Sequence, residues 1–200
     1  MSNDIKSQQT NRIILITGVP GVGKTSIAEK ISTKHNLPII NFGDVLFAKV
    51  RQENFDIKHV DEMRIKLSRS RYKEMQILAA QEIIAKPGDK IITSHLSIDT
   101  PIGFMPGFPR QIVDIIHPDI IIIIESPVAE IKTRRESDIS DRDRDNKLER
   151  WIEFHQQYNR AMAASYSFYT GNYCFPVQNK QGEIERTFSD IDAVVSQILG

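Results

Sequence analysis

Cysteine is almost absent from this sequence, since Cys174 is the only thiol among 200 residues. One cysteine cannot form a disulfide within a chain, which excludes a disulfide-stapled fold and favours a reducing compartment. Long apolar runs are also missing. The longest strongly apolar stretch covers residues 120–124, far short of the roughly 20 residues that cross a bilayer. We therefore expect no membrane-spanning segment.

Neither sign of charge is in excess, because 26 lysines and arginines balance 26 aspartates and glutamates. This balance argues against non-specific binding of nucleic acid or anionic lipid, although it leaves room for a local basic patch. The first ten residues are polar and lack the apolar core of a signal peptide. We expect a flexible start at residues 1–10 and a cytoplasmic protein.

Glycine is concentrated in one place: three of the ten glycines lie between positions 18 and 23. They follow an apolar run and precede a segment typical of a helix. Together the residues match the pattern G-x-x-x-x-G-K-[ST], which binds phosphate when it connects a strand to a helix. The segment, called the phosphate cradle below, consists of Gly18, Val19, Pro20, Gly21, Val22, Gly23, Lys24 and Thr25, with Ser26 next in the helix.

The residue types in the cradle suit a nucleoside triphosphate. Glycines allow positive φ angles and a close backbone approach, so that successive N–H groups converge on phosphate oxygens at a helix N-terminus. Lys24 supplies a mobile charge for the β and γ phosphates, and the Thr25 hydroxyl is placed to ligate Mg²⁺. The alternative is a glycine-rich turn with an incidental lysine, which the flanking strand and helix disfavour.

Strand and helix patterns alternate along the rest of the chain. The predicted strands cover residues 11–17, 37–41, 90–94, 119–125 and 173–177, and helices fill most of the intervals. This alternation predicts a parallel sheet with helices on both faces, built as a single domain over residues 11–200. We predict a structured loop at 95–109, because prolines and glycines crowd there, and a closing helix at 188–199.

Ligands of open parallel sheets bind beside the carboxyl ends of the strands. The candidates at that edge are the cradle, Asn41 with Gly43 and Asp44, His95, and Glu125. Glu125 is a candidate for orienting Mg²⁺ through water. Alternatively, its carboxylate stabilises the N-terminus of the helix that follows. His95 suits a hydrogen bond to a nucleotide or a purely structural role.

Arginines supply the remaining candidates for phosphate binding. Arg134, Arg135, Arg142 and Arg144 surround a polar segment and suit a flap that neutralises a transferring phosphoryl group. The alternative is a solvated loop whose arginines pair with the neighbouring aspartates. Arg64 suits a second phosphate or a surface ion pair on its own helix. The phosphate cradle favours the phosphate roles.

Beyond these patterns, the chain resembles the archaeal-type adenylate kinases, from about residue 13 to its end. The matching motifs, in the family's order, are the cradle, Asn41-Phe42-Gly43-Asp44, Asp61-Glu62-Met63-Arg64, Thr100-Pro101-Ile102-Gly103-Phe104, Pro106-Gly107-Phe108-Pro109, Pro118-Asp119-Ile120 and Arg134-Arg135. The resemblance implies reversible transfer of a phosphoryl group from ATP to AMP with Mg²⁺. It also implies a three-layer α/β P-loop kinase fold with a short lid, and commonly a trimer.

The resemblance also implies roles for individual residues. The cradle with Ser26 would hold the ATP phosphates, and Lys24, Arg134, Arg142 and Arg144 would act on the transferring group. Arg64 would anchor the AMP phosphate in a region spanning about residues 42–87, with Asn41, Gly43, Asp44 and His95 lining that pocket. The lid, at about residues 134–146, is too short for a four-cysteine zinc site, so no zinc is expected.

Two departures from the family pattern stand out. Thr93-Ser94-His95 replaces the usual Asp-Thr-His, which removes an acidic group near the metal, and the lid is one residue longer and more acidic. Two alternative functions remain. One is a kinase of the same fold with CMP, UMP or an RNA 5′-hydroxyl as acceptor, and the other is a nucleotide-driven ATPase switch. A hydroxyl acceptor would require a carboxylate base, for which Asp44 is the candidate.

Overall fold

A computed structural model describes residues 11–53, 55–137 and 149–200 of the chain. The strands are β1 (Ile13–Thr17), β2 (Ile39–Asn41), β3 (Lys90–Thr93), β4 (Ser97–Thr100), β5 (Gly103–Pro106), β6 (Ile120–Glu125) and β7 (Tyr173–Gln178). The helices are α1 (Lys24–His35), α2 (Phe42–Gln52), α3 (Met63–Lys66), α4 (Arg69–Ala85), α5 (Arg110–Ile116), α6 (Val128–Ser137), α7 (Glu149–Thr170) and α8 (Ile184–Leu199). A short 3₁₀ turn at Val60–Glu62 leads into α3.

Five of the strands form one parallel sheet in the order β2, β3, β1, β6, β7. The cradle strand β1 is central, which places the loop after it between the ends of β3 and β6. The predicted parallel α/β sheet is therefore confirmed.

Helices cover both faces of this sheet because the central strands are apolar on both sides. In β6, Ile121 and Ile123 pack into the core that includes residues of α2, α4, α5 and α7. Their neighbours Ile120, Ile122 and Ile124 pack into the opposite core, with residues of α1, α6 and α8. Successive side chains of a strand point to opposite faces, so a run of five isoleucines feeds two cores at once. This arrangement confirms the three-layer prediction.

Residues 95–109 differ from the structured loop that we predicted, because β4 and β5 pair there as an antiparallel hairpin. The Thr100 hydroxyl donates to the Gly103 carbonyl at 2.5 Å and closes the turn, where Gly103 has a φ of 121°. Glycine and proline at the strand ends hide the strand pattern in the sequence. The structure also begins α8 four residues earlier than predicted, at Ile184.

Within the described residues, no helix combines the length and apolarity that a membrane crossing requires. Residues 1–10 and the centre of the predicted lid lie outside these ranges.

Candidate functional site

The phosphate cradle connects β1 to α1 through glycines with positive φ angles. Gly21 and Gly23 have φ of 90° and 89°, a conformation that costs other residues free energy. A side chain on Gly23 would also collide with Asn179, because its Cβ would lie 2.5 Å from the Asn179 amide nitrogen. Backbone conformation and space both require glycine at position 23.

Side chains hold the carbonyl groups of the cradle. Five successive carbonyls, those of residues 18 to 22, each accept at least one hydrogen bond from a side chain. The donors are Lys24 Nζ to Gly18 (2.8 Å) and Val19 (3.1 Å), His95 Nδ1 to Gly18 (2.9 Å), Arg135 Nε and Nη2 to Pro20 (3.0 and 2.8 Å), Arg134 Nη1 to Gly21 (3.3 Å) and Asn179 Nδ2 to Val22 (2.8 Å).

This arrangement prepares the cradle for an anion. In a trans peptide the C=O and N–H groups point in opposite directions, so each of these bonds, except the one at Val19 before Pro20, also fixes the direction of the next N–H. The cradle also forms the N-terminus of α1, where Gly23 is the N-cap. Among the described residues, no side chain caps that helix end, and its first turn contains no acidic residue. The uncapped N–H groups and the helix dipole therefore favour a negatively charged ligand.

Thr25 and Ser26 are exposed at the start of α1, where their hydroxyls are accessible to a ligand. In the part of the chain that the structure describes, no three His, Cys, Asp or Glu side chains cluster as a metal site. Mg²⁺ in kinases needs little more than one or two protein oxygens beside the substrate phosphates. The Thr25 hydroxyl fits such a site.

His95 and Arg64 extend the site away from the cradle. Because Gly18 offers only a carbonyl oxygen, His95 Nδ1 must be the donor in their hydrogen bond. Burial lowers the pKa of His95 well below its usual 6.5, and the charges of Lys24, His155 and Arg64 lower it further. His95 is therefore neutral and lies within electrostatic reach of both Lys24 and Arg64.

The Arg64 side chain is only partly paired. Its Nη1 pairs with Asp61 at 3.0 Å, and 22% of the side chain is exposed. Its Nε is buried and has no hydrogen-bond partner within residues 11–53, 55–137 and 149–200. A buried, unpaired guanidinium nitrogen is costly unless a ligand supplies an acceptor.

The arginines at the end of α6 lie against the cradle. Besides Gly21, Arg134 donates to the Ser126 hydroxyl at 2.8 Å, to Glu130 at 2.8 Å and to the Asn179 carbonyl at 3.3 Å. Arg135, another of the predicted flap arginines, binds Pro20 instead. The other two predicted lid residues, Arg142 and Arg144, fall outside the described residues.

Glu125 ends β6 with a nearly buried carboxylate, 5% exposed. The carboxylate accepts hydrogen bonds from Arg160 at 2.9 and 2.5 Å and from Gln178 at 3.0 Å. The sequence drew attention to Glu125 but not to Arg160, which approaches from α7. The predicted role of Glu125 toward Mg²⁺ stays a prediction.

The turn after β2 has local structural roles of its own. The Asn41 side chain caps α2 by accepting from the Gly43 N–H at 2.9 Å. Asp44 lies in the first turn of that helix, where its negative charge interacts favourably with the helix dipole. Their predicted contact with an acceptor nucleotide also stays a prediction.

Asn179 is the clearest residue that the sequence did not assign to the site. Asn179 directly follows β7, which ends at Gln178. In the structure the Asn179 side chain binds the cradle at Val22, 157 positions away in the chain. A polar residue directly after the last strand was the available signal, since strand ends meet at the ligand edge.

Known proteins match the chain in sequence and in fold. Residues 17–153 match the family model described as AAA domain. The chain is 35% identical to the adenylate kinase of Thermococcus onnurineus over 193 residues, 94% of this chain and 97% of the relative. It is 38% identical to that of Pyrococcus furiosus over 173 residues, 84% and 87% of the two chains. Methanopyrus kandleri adenylate kinase is 33% identical over 190 residues, 93% and 98% of the two chains.

Solved structures support the fold. Shikimate kinase from Bacteroides thetaiotaomicron superposes with a TM-score of 0.64 at 15% identity, covering 92% of this chain and 98% of the kinase. Shikimate kinase from Acinetobacter baumannii gives a TM-score of 0.60 at 13% identity, covering 96% and 97%. At such identities the likeness extends to the fold alone. The sequence relatives also show the family, because they are 33–38% identical over most of both chains: this chain belongs to the adenylate kinase family.

Proposed function

We propose that this protein is an ATP:AMP phosphotransferase, which transfers the γ-phosphoryl group of ATP to AMP and yields two ADP. The observation that carries the proposal is a second cation beside the phosphate cradle: His95 binds the cradle at Gly18 and lies within electrostatic reach of Arg64, whose buried Nε has no hydrogen-bond partner among the described residues. Two neighbouring cationic sites suit a reaction between two nucleotides. The named relatives are adenylate kinases, in agreement with this assignment.

On the donor side, the cradle N–H groups and Lys24 would bind the ATP phosphates. In the structure Lys24 Nζ donates to the Gly18 and Val19 carbonyls. A phosphate is a stronger, charged acceptor, so we expect the ammonium group to turn from those carbonyls to the ligand. Mg²⁺, held by Thr25 and the phosphates, would reduce the negative charge of the reacting group.

On the acceptor side, Arg64 would bind the AMP phosphate, and the Asn41, Gly43 and Asp44 turn with His95 would line the pocket. The phosphate of AMP is already anionic at neutral pH, so the transfer requires no strong general base. A neutral His95 is compatible with this chemistry. Positioning and charge stabilisation, supplied by Lys24 and by the lid residues Arg134, Arg142 and Arg144, would account for most of the rate.

The assay that tests this function measures ADP formation from ATP and Mg²⁺ with AMP, CMP, UMP, an RNA 5′-end or no acceptor, with the Lys24→Ala variant as the blank. We expect rapid ADP formation with AMP and almost none without an acceptor. Hydrolysis that ignores AMP would support the ATPase alternative instead, and product formation only with RNA would support a polynucleotide kinase.

By the same resemblance we propose that the protein is cytoplasmic and assembles as a trimer. The described surface carries exposed aromatic residues at one end of α7 and β7, including Phe168 at 93% and Tyr173 at 71% exposure.

A further inference from the structure

Asn179 fixes the part of the cradle directly before Lys24. Its side-chain amide donates to the Val22 carbonyl at 2.8 Å, and the residue is only 5% exposed. The backbone of Asn179 is held by hydrogen bonds at both its N–H and its C=O group. The Asn179 N–H donates to the Glu125 carbonyl at 2.7 Å, and its carbonyl accepts from the Ser126 hydroxyl. The amide is therefore presented to the cradle from a rigid support.

The bond to Val22 determines where the next N–H group points. Val22 C=O and Gly23 N–H belong to one planar trans peptide, so they face opposite ways. With the carbonyl bound to Asn179, the Gly23 N–H faces away from Asn179. Glycine at position 23 has access to both signs of φ, which means that the cradle sequence alone does not hold this peptide in one orientation.

Asn179 differs in charge from most of the other side chains that hold the cradle. Lys24, Arg134 and Arg135 are cations, and a bound phosphate competes for them. Asn179 is neutral and has no comparable attraction to phosphate. Its bond to Val22 can therefore persist when the nucleotide binds.

We propose that Asn179 is a positioning residue for the phosphoryl donor: by holding the Val22–Gly23 peptide, it directs the Gly23 N–H toward the phosphates of ATP. The inference rests on the proposed function in so far as the cradle binds ATP. It assigns Asn179 no contact with AMP. Loss of the Asn179 side chain is expected to weaken ATP binding and leave AMP binding intact.

The chain provides a matched control at the other end of β7. Asn172 precedes the strand, and its side-chain amide donates to the Pro118 carbonyl at 3.0 Å. Asn172 and Asn179 therefore make the same kind of bond to a backbone carbonyl on either side of one strand. Only Asn179 lies at the edge that carries the cradle. Comparing the two alanine variants separates positioning from general stabilisation.

The test is calorimetric titration of the full chain with a non-hydrolysable ATP analogue and Mg²⁺, and separately with AMP. For Asn179→Ala we expect about tenfold weaker binding of the analogue, the scale of one lost hydrogen bond, and AMP affinity within twofold of the parent protein. Asn179→Asp should bind the analogue more weakly still, because a carboxylate oxygen would face the Val22 carbonyl and repel phosphate. Asn172→Ala should leave both affinities unchanged.

Thermal unfolding of each variant, without nucleotide, checks that it is folded. Unchanged analogue affinity in both Asn179 variants would overturn the proposal. An equal loss of analogue and AMP affinity would overturn it as well, since that pattern indicates general destabilisation, and so would an equal effect of Asn172→Ala. The titration does not depend on catalysis. A parent protein that binds the analogue but transfers nothing to AMP would contradict the proposed function and leave this inference standing.

Discussion

Arg64 is the residue whose surroundings point most directly to an anionic ligand. Its Nε is buried without a partner among the described residues, and one Nη atom pairs with Asp61. We predict that Arg64→Ala raises the KM for AMP by about tenfold to a hundredfold, the scale of a lost charged hydrogen bond. The KM for ATP should stay within twofold. Steady-state kinetics with each nucleotide varied in turn measures both values.

Arg69 supplies the control for that substitution. It is an exposed arginine at the start of α4, so Arg69→Ala removes the same charge from the same region. It should leave both KM values unchanged. An unaltered KM for AMP in Arg64→Ala would show that the acceptor phosphate is bound elsewhere.

His155 makes the stability of the protein depend on pH. Burial lowers its pKa from the usual 6.5 to about 4, while its ring stacks on Phe104 at 4.7 Å between centroids and its Nε2 bonds to the Ser97 carbonyl. Between these two values the unfolded chain binds a proton that the folded chain does not. Stability therefore falls as the pH drops below 6.5, by about 1.4 kcal/mol per pH unit, and levels off near pH 4.

Urea unfolding of parent protein and His155→Gln at pH 7 and pH 5 measures this effect. We expect the parent to lose about 2 kcal/mol more than the variant on acidification. The exposed residue His59 is the matched control, and His59→Gln should keep the parent's pH dependence. Identical acid sensitivity of parent and His155→Gln would contradict the assignment. His95, whose pKa is also lowered, should contribute to the acid sensitivity that survives in the variant.

At the scale of structural elements, the β4–β5 hairpin connects the site to α7. Phe104 of β5 lies 4.8 Å from the Trp151 ring and 4.7 Å from His155, measured between centroids. Gly107 closes the hairpin by donating from its N–H to Leu96 at 2.8 Å. A Cβ at Gly107 would lie 1.9 Å from the His95 carbonyl oxygen. The hairpin can therefore pack against residue 95 only with glycine at 107.

We predict that Gly107→Ala destabilises the protein by about 1–3 kcal/mol, the usual cost of an overpacked interior. Transfer should fall by more than this loss implies, because the shift moves His95 away from the Gly18 carbonyl. Chemical denaturation and initial rates test the two parts. Ile102→Ala at the hairpin tip, where 91% of the residue is exposed, should change neither. Normal stability of Gly107→Ala would refute the packing argument.

How much of the site the sequence predicts depends on how far apart along the chain the contacting residues lie. The phosphate cradle can be recognised in the sequence because its glycines, Lys24 and Thr25 lie in one continuous segment. The parallel sheet can be predicted because strand and helix patterns alternate along the chain. The Asn179 bond to Val22 and the Arg160 bond to Glu125 join positions 157 and 35 residues apart. Such pairs depend on strand order and helix register, which periodicity alone does not supply. The hairpin stayed hidden because glycine and proline, the usual signs of a loop, are also the residues that form its turn and ends.

At the scale of the whole molecule, the sheet order brings together the residues that we propose bind the two nucleotides. β1 lies between β3 and β6, so the loop after β1 meets His95 on one side and the α6 arginines on the other. The part of the chain between β2 and β3 carries Arg64, which we propose binds the acceptor phosphate. The proposed transfer between two nucleotides thus depends on the positions of these neighbouring strands.

The most direct test of this account follows a radiolabelled γ-phosphoryl group from ATP. The purified protein is incubated with labelled ATP, Mg²⁺ and unlabelled AMP, and the products are separated by chromatography, with Lys24→Ala as the blank. We predict that the label appears in ADP, with two ADP formed for each ATP consumed, and that the blank forms almost none. Label released as inorganic phosphate at the same rate with or without AMP would contradict the account.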